Sequence, residues 1–153
     1  IVFTFSTSSS SASIPFTLKA ATEKCGINKS ISSFTIPLGA TINMDGTAIM
    51  QGCATFFLAS LYGIDLGMSE ILTIVVTATI ASIGTAGIPS AGIIMLTVIF
   101  TQIGIPLEGI TLLLGVDRLL DMMRTSINVS GDLCISCIVA SSENKIDETI
   151  YKS

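Results

Sequence analysis

A stripe of polar side chains runs through an otherwise apolar segment, 117–132, near the end of the chain. Most of its members are three or four positions apart; they are Asp117, Asp121, Arg124, Thr125, Asn128 and Asp132. At 3.6 residues per helical turn, these positions lie on one narrow face of a helix. On a soluble helix such a face points into water and needs no function. Whether that interpretation applies depends on the residues around the stripe.

The composition around the stripe is typical of a membrane protein. Half of the residues, 50%, are hydrophobic and only 12% are charged, whereas a soluble domain carries roughly 25% charged residues. No basic residue occurs between Lys29 and Arg118, although a soluble fold needs a charged surface. We therefore expect a multi-pass protein of the plasma or inner cell membrane. The net charge of −4, with no basic patch, excludes nucleic acid as a partner.

The four cysteines do not indicate a metal or redox site. Cys134 and Cys137 form one CxxC pair, but neither a second pair nor a histidine accompanies them. A structural zinc site needs four such ligands. We therefore interpret the cysteines as small packing residues and predict no cofactor.

Residues 29–62 contain two apolar runs on either side of the sequence NMDGT, 43–47. Each run is shorter than the roughly 20 residues that span a bilayer, but together they would span it. Asn, Asp and Gly in succession disfavour a helix. We predict a transmembrane helix broken at 43–47, the alternative being an ordinary loop between two short core helices. Unwound backbone at membrane depth leaves carbonyl groups free to bind cations.

Two segments have the pattern of re-entrant helical hairpins. In 66–103, short apolar arms flank a tip at 83–92 that is rich in glycine and contains Pro89. Residues 1–26 contain a serine run and Pro15, which predict the tip and second arm of another hairpin. Because the chain starts at Ile1 without a basic segment that would suggest a signal peptide, we expect it to be the C-terminal part of a longer protein. A long helix over 107–142 and an exposed, charged tail over 143–153 complete the prediction.

The two halves of the chain carry a weak internal repeat. A tip of small residues ending in Ile-Pro precedes a polar Asn-x-x-Gly break, first in 8–15 and 43–46 and again in 84–89 and 128–131. Repeats with interrupted apolar segments in corresponding positions are typical of secondary transporters. A match this short can also arise by coincidence.

Arg124 is the residue of the stripe with the most specific chemistry. A guanidinium inside a membrane is costly and needs a partner, which Asp121 at i−3 or Asp117 at i−7 could provide. Alternatively, its planar fork binds the carboxylate of a ligand through two hydrogen bonds. Asp121 would then be free to hold a substrate ammonium, whereas Asp117 has no assigned role.

Oxygen atoms suited to a cation lie in the stripe and in the predicted breaks. Side-chain ligands for Na⁺ are expected from Asn43, Asp45, Asn128 and Asp132, and hydroxyl or carbonyl ligands from Gly39, Thr41, Ser82, Ile83 and Thr85.

Four motifs together resemble the dicarboxylate/amino acid:cation symporter family, which includes the glutamate and aspartate transporters. They read SSSSASIP, TINMDGTA, ASIGTAGIPSAG and DRLLDMMRTSINVSGD. The resemblance covers the chain to about Glu143. It implies an all-α membrane protein, the inverted-repeat transport core, with hairpin 1, broken helix 7, hairpin 2 and helix 8. It also implies a homotrimer that moves this core against an N-terminal scaffold by an elevator mechanism, with hairpin 2 as the lid.

The resemblance further implies roles for individual residues. Arg124 would bind the side-chain carboxylate of an acidic amino acid and Asp121 its ammonium, and the pocket would be completed by Thr125, Asn128, Thr47, Ser10, Ile88 and Gly92. One sodium site would use Gly39, Asn43, Asn128 and Asp132, a second Thr41, Met44, Ser82, Ile83 and Thr85, and a third Asp45.

The chain departs from the family pattern at three positions. Ser8 and Met122 stand where members often carry a further arginine, which affects the electrostatics of gating. Gln51 stands where animal glutamate transporters have a glutamate, and it cannot carry a proton. We therefore favour Na⁺ over H⁺ as the coupling ion, with H⁺ kept as the alternative.

Three other functions fit the sequence less well than a transporter does. An intramembrane aspartyl protease could use Asp45 and Asp132, but the residues before Asp132 do not form the Gly-x-Gly-Asp motif. A serine hydrolase lacks the usual base, because the sequence has no histidine. A passive channel would show uptake that neither saturates nor depends on a sodium gradient. We predict a transporter and no enzyme activity.

Overall fold

The computed structural model describes residues 1–151, and within them the chain is helical without a named strand. Its helices are α1 (Val2–Thr7), α2 (Ser10–Glu23), α3 (Lys29–Ile42), α4 (Asp45–Leu61), α5 (Met68–Ile83), α6 (Ala91–Ile103), α7 (Ile110–Ser142) and α8 (Glu148–Tyr151), with a 3₁₀ turn at Leu107–Gly109. The predicted all-α class is confirmed. None of the helices described is at once long enough and apolar enough to cross a membrane.

Helix α7 is the element around which the others pack. It contacts α1, α2, α3, α4 and α6, and its 33 residues give it a length of about 50 Å. The polar stripe of 117–132 lies on this helix, and all six of its side chains are buried. The interpretation of the stripe as a water-exposed face is therefore wrong, because α7 is covered by other helices on that side.

Two apolar clusters lie at opposite ends of the stripe. The first joins α4, α5 and α6 around Leu58, Leu96 and Phe100 and includes Leu113 of α7. The second joins the loop after α2 to α3 and includes Ala140 of α7. Along α7 the polar residues lie between these two contacts, so apolar packing holds the helices together on both sides of a polar centre.

Helices α3 and α4 are separated only by Asn43 and Met44, which have non-helical backbone angles. The break is shorter than the five residues, 43–47, that the sequence predicts. Asp45 already begins α4 because Asn128 of α7 accepts hydrogen bonds from the N–H groups of Gly46 and Thr47, at 2.8 and 3.3 Å. Both groups belong to the first turn of α4. The Gly46 N–H has no partner within the helix, whereas the Thr47 N–H also donates to the Met44 carbonyl at 3.0 Å.

The C-terminal segment was expected to be exposed, but part of it packs against the fold. Ile146 forms an antiparallel bridge with Ile27 and joins the second apolar cluster. Thr149 donates its hydroxyl and its backbone N–H to the Asp147 carboxylate, which holds the pKa of that carboxyl below its ordinary value. The last two residues of the predicted tail, 152 and 153, lie outside the described residues.

Candidate functional site

Four separate segments converge on one pocket beside the polar stripe. They are the start of α2, the break before α4, the connection between α5 and α6, and the middle of α7. The lining residues are Ser8, Ser10, Met44, Thr47, Ala86, Gly87, Ile88, Gly92, Asp121, Arg124, Thr125 and Asn128. The cavity measures about 10 Å³, which is room for about one water molecule. An amino acid therefore enters only if one of these segments moves.

The two small-residue tips predicted from the sequence meet at this pocket. Ser9 donates its hydroxyl to the Gly87 carbonyl at 2.8 Å, and the backbone N–H of Ser11 donates to the same oxygen at 3.1 Å. A Cβ on Gly87 would lie 2.7 Å from the Ser11 hydroxyl, so only glycine permits this approach. Neighbouring Ser8 has a left-handed backbone, φ 52°, and its buried hydroxyl has no hydrogen-bond partner.

Arg124 is buried in the pocket wall between two carboxylates. Its Nε donates to Asp121 Oδ1 at 2.9 Å, and its Nη2 lies 3.7 Å from Asp117 Oδ1. The internal partners considered from the sequence are thus both present. Nη2 nevertheless makes no hydrogen bond, so the guanidinium of this pocket-lining residue retains donor capacity.

Sequence reasoning gave Ser90 no role, and it gave Asp117 none beyond an ion pair with Arg124. Asp117 is 4% exposed, and its Oδ2 accepts the Ser90 hydroxyl at 2.8 Å. The Ser90 N–H donates to Asp121 Oδ2 at 2.7 Å. Asp117 could have been recognised from its position one turn before Asp121 on the same face of α7. No local signal distinguishes Ser90 from the other small residues of the tip.

Gly92 and Gln51 border the guanidinium on its other side. A Cβ on Gly92 would lie 2.7 Å from Arg124 Nη1, so the absence of a side chain makes room for the arginine. Gln51 is fully buried and donates its Nε2 to the Gly92 carbonyl at 3.3 Å, while its Oε1 has no partner. The two residues fix the start of α6 relative to α4.

Asn128 and Thr125 extend the pocket wall along α7. The Asn128 amide donates to the Thr47 hydroxyl at 3.1 Å, and its oxygen accepts from the start of α4. The Thr125 hydroxyl lies 3.4 Å from Asp121 Oδ1. Ser10 and Ile88 also line the pocket, although Ile88 is largely exposed.

A second polar cluster lies one turn further along α7, beside the helix break. Asn43 donates its Nδ2 to Asp132 Oδ1 at 3.1 Å, and Gly39 packs directly against the Asp132 carboxylate. A Cβ on Gly131 would lie 3.0 Å from both Asn43 Nδ2 and Asp45 Oδ2. Four of the residues expected to bind sodium are therefore close together here, although Asn43 and Asp132 alone are 89 positions apart in the chain.

The other group of expected sodium ligands is less compact. Three of its hydroxyls donate to carbonyls of the helix that they belong to or follow: Thr41 to Leu38, Ser82 to Thr79 and Thr85 to Ala81. Met44 is buried in the helix break, whereas Ile83 is exposed at the end of α5. Each of these hydroxyl oxygens keeps lone pairs for a cation, as do the backbone oxygens near the break and near the end of α5.

Comparisons with known proteins agree with the motifs of the sequence. The model of the sodium:dicarboxylate symporter family matches residues 1–142. The chain is 50% identical over 125 residues to excitatory amino acid transporter 3 of Mus musculus, covering 82% of this chain and 24% of the relative. It is 47% identical over 132 residues to excitatory amino acid transporter 1 of Rattus norvegicus, covering 86% and 24%.

The chain thus spans about a quarter of the length of these curated relatives, which carry the names of transporters and not of enzymes. The family match extends over both small-residue tips, the helix break and the whole stripe of α7. The resemblance found in the sequence is confirmed, and the chain belongs to the sodium:dicarboxylate symporter family.

Proposed function

We propose that this chain is the substrate- and ion-binding core of a symporter that couples the uptake of an acidic amino acid to Na⁺. Aspartate, glutamate or a related dicarboxylate is the substrate. The observation that carries the proposal is the buried Arg124 guanidinium beside a pocket where two tips and a broken helix meet. The family name and the names of the relatives, excitatory amino acid transporters, support this substrate class.

The contacts of Arg124 suggest how the substrate binds. Nη2 has an ion-pair neighbour at 3.7 Å but no hydrogen bond, so a carboxylate from the pocket gains a charge-assisted bond there. Asp121 accepts the substrate ammonium. Thr47, Thr125 and Asn128 on the wall, Ser10 and Gly92 at the helix starts and Ile88 on the tip surround the rest of the molecule.

Sodium binds beside the pocket and not within it. Asp132 supplies the charge, and Asn43, Asn128 and the Gly39 carbonyl supply neutral oxygens. A second ion uses Thr41, Met44, Ser82, Ile83 and Thr85, and a third uses Asp45. Asn128 hydrogen-bonds Thr47 at the pocket and caps α4 next to the break, so it connects the substrate region with the sodium region. Because Gln51 does not titrate, Na⁺ is favoured over H⁺ as the coupling ion.

The proposed membrane arrangement follows the predicted segments. Residues 1–26 and 66–103 form the re-entrant hairpins 1 and 2, 29–62 form the broken transmembrane helix 7, and 107–142 form transmembrane helix 8. Large apolar side chains on the outside, such as Ile80, Ile94 and Leu119 at 63–66% exposure, suit contact with lipid or with the remainder of the protein. That remainder is the N-terminal scaffold of a homotrimer in the plasma or inner membrane, and the core moves against it by an elevator mechanism. Hairpin 2 is the lid.

The alternatives receive no support. The family and its relatives are named as symporters and transporters, which favours neither an aspartyl protease using Asp45 and Asp132 nor a passive channel.

Calorimetric titration of the full-length protein tests the proposal. L-aspartate, L-glutamate and succinate are titrated in Na⁺ and in choline, at two pH values. We expect binding of at least one acidic ligand that requires Na⁺ and changes little with pH. Binding that is equal in choline would overturn Na⁺ coupling, and binding only of neutral amino acids would overturn the substrate class.

A further inference from the structure

We propose that Ser90 is a latch: its hydrogen bonds to Asp117 and Asp121 hold the tip of the α5–α6 connection on α7. At Asp121 this latch competes with the substrate ammonium. This inference rests on the proposed function, since it assigns a gating residue to the same pocket. It concerns Ser90, which the sequence places only in the small-residue tip, and gives Asp117 a role beyond its ion pair with Arg124.

Ser90 makes two hydrogen bonds to two different carboxylates. Its N–H donates to Asp121 Oδ2 at 2.7 Å, and its hydroxyl donates to Asp117 Oδ2 at 2.8 Å. Both aspartates are nearly inaccessible to solvent, at 2% and 4% exposure. Hydrogen bonds to a charged acceptor in such surroundings are shorter and stronger than those between neutral groups.

The charge balance at α7 explains why the carboxylates need these donors. Asp117 and Asp121 face a single buried guanidinium, that of Arg124, which bonds Asp121 Oδ1 and lies 3.7 Å from Asp117 Oδ1. One oxygen of each carboxylate is therefore directed to Arg124. Ser90 donates a hydrogen bond to the other oxygen of each carboxylate. Without the tip, these buried oxygens would be unsatisfied acceptors.

The backbone at Ser90 indicates that its side chain is directed to the latch and not to its own helix. Ser90 precedes α6 at the N-cap position, where a serine hydroxyl ordinarily accepts a hydrogen bond from the first turn. Here it makes no such bond and donates to Asp117 instead. Its φ of 61° lies in the left-handed region, which is unfavourable for a residue other than glycine, asparagine or aspartate. The tertiary contacts offset this strain.

Competition for Asp121 follows from the geometry. Asp121 Oδ1 accepts from Arg124 and Thr125 and Oδ2 accepts from Ser90, and the closed pocket leaves no space for an ammonium beside the Ser90 N–H, so an ammonium that binds Asp121 displaces that N–H. The pocket has room for about one water molecule, so the tip also has to move outward for an amino acid to enter. A weaker latch therefore raises the fraction of protein in which the tip is open. Apparent substrate binding becomes tighter, because the open state is the one that the substrate can enter.

Two substitutions isolate the contribution of the hydroxyl. Ser90→Ala removes the hydroxyl and keeps a side chain on the left-handed backbone, whereas Ser90→Asn tolerates that conformation and retains a donor for Asp117. Thr101→Val is the matched control, because Thr101 is an exposed residue of α6 whose hydroxyl bonds within its own helix. All three are made in the full-length protein.

Hydrogen–deuterium exchange at 84–92 without amino acid is measured together with calorimetric L-aspartate binding in Na⁺. We expect Ser90→Ala to speed exchange and tighten aspartate binding, each by roughly tenfold, the size of one lost hydrogen bond to a charged group. Ser90→Asn and Thr101→Val should stay within about twofold of the unmodified protein by the same measure. Unchanged exchange in Ser90→Ala, or aspartate binding that is unchanged or weaker, would overturn the latch.

The exchange measurement does not depend on the identity of the substrate. If the unmodified protein binds no acidic amino acid, the proposed function fails, while faster exchange in Ser90→Ala still supports the contact of the tip with α7. If it binds aspartate and Ser90→Ala exchanges no faster, only the latch fails.

Discussion

The side-chain oxygen of Asn128 lies 2.8 Å from the backbone nitrogen of Gly46 and accepts its hydrogen bond. A side chain in the middle of α7 thus accepts the hydrogen bond of a backbone N–H at the start of another helix, α4. A Cβ on Gly46 would meet the Arg124 carbonyl oxygen at 2.5 Å, so the two helices touch backbone to backbone at this point. The helix break at Asn43 and Met44 is stable because Asn128 of α7 supplies the hydrogen-bond acceptor that an uninterrupted helix would have given the Gly46 N–H.

Asn128→Ala should destabilise the protein, because it leaves the buried N–H of Gly46 without an acceptor. We expect a loss of about 1–3 kcal/mol in the free energy of unfolding, measured by thermal denaturation of the full-length protein in detergent. Ser126→Ala is the control, since the Ser126 hydroxyl bonds only to the Met122 carbonyl of its own helix. Equal stability of the two variants would contradict the capping role of Asn128.

Arg124→Thr should abolish binding of aspartate and glutamate and admit neutral amino acids, since it removes the only guanidinium lining the pocket. The loss should exceed about 100-fold, because a buried charge pair is broken. Arg124→Lys keeps the charge for Asp117 and Asp121 but not the planar fork, so it should fold and still bind acidic substrates less tightly. Arg118→Thr, an exposed arginine of the same helix, is the control. Unaltered affinity for acidic ligands in Arg124→Thr would contradict the proposed role of Arg124 in binding the substrate carboxylate.

Asp132→Asn should weaken the sodium dependence of substrate binding. The substitution keeps the size of the side chain but removes the negative charge that Asn43 and Gly39 surround. Calorimetric aspartate titrations at a series of Na⁺ concentrations should show the midpoint shifted upward by tenfold or more, of the order expected for a lost charged ligand. Glu108→Gln removes an exposed carboxylate in the 3₁₀ turn before α7 and should leave the midpoint unchanged. The same midpoint in both variants would exclude Asp132 as a ligand.

Gly92→Ala should impair substrate binding through Arg124. The added methyl group would lie 2.7 Å from Nη1 and 3.1 Å from the Thr47 methyl, so the guanidinium has to leave its position. We expect acidic-substrate affinity to fall by roughly tenfold, an order-of-magnitude figure for a misplaced charge-assisted contact. Gly52→Ala on α4 is the matched control, because its methyl group would meet nothing within 4 Å. Indistinguishable titrations for the two variants would argue against the close fit of Gly92 and Arg124.

Periodicity and composition predict the helical class and the polar face of α7, because both follow from local rules. Apolar runs with 3.6-residue spacing form helices wherever they pack. The tip residues and NMDGT are unfavourable in helices for equally local reasons. The extent of each break was less predictable, since the α3–α4 break closes to two residues only through Asn128.

The sequence by itself determined the family, the all-helical class and the residues that face the polar centre. Only the tertiary structure decided which of them pair: Arg124 with Asp121 and Asp117, Ser90 with both aspartates, and Asn43 with Asp132. The physical reason is that a residue's face on a helix depends on its immediate neighbours, whereas a buried polar atom takes whichever partner packing brings within about 3 Å. Ser90 acquires its role, and Asp117 a partner besides Arg124, only because the tip of the α5–α6 connection lies on α7.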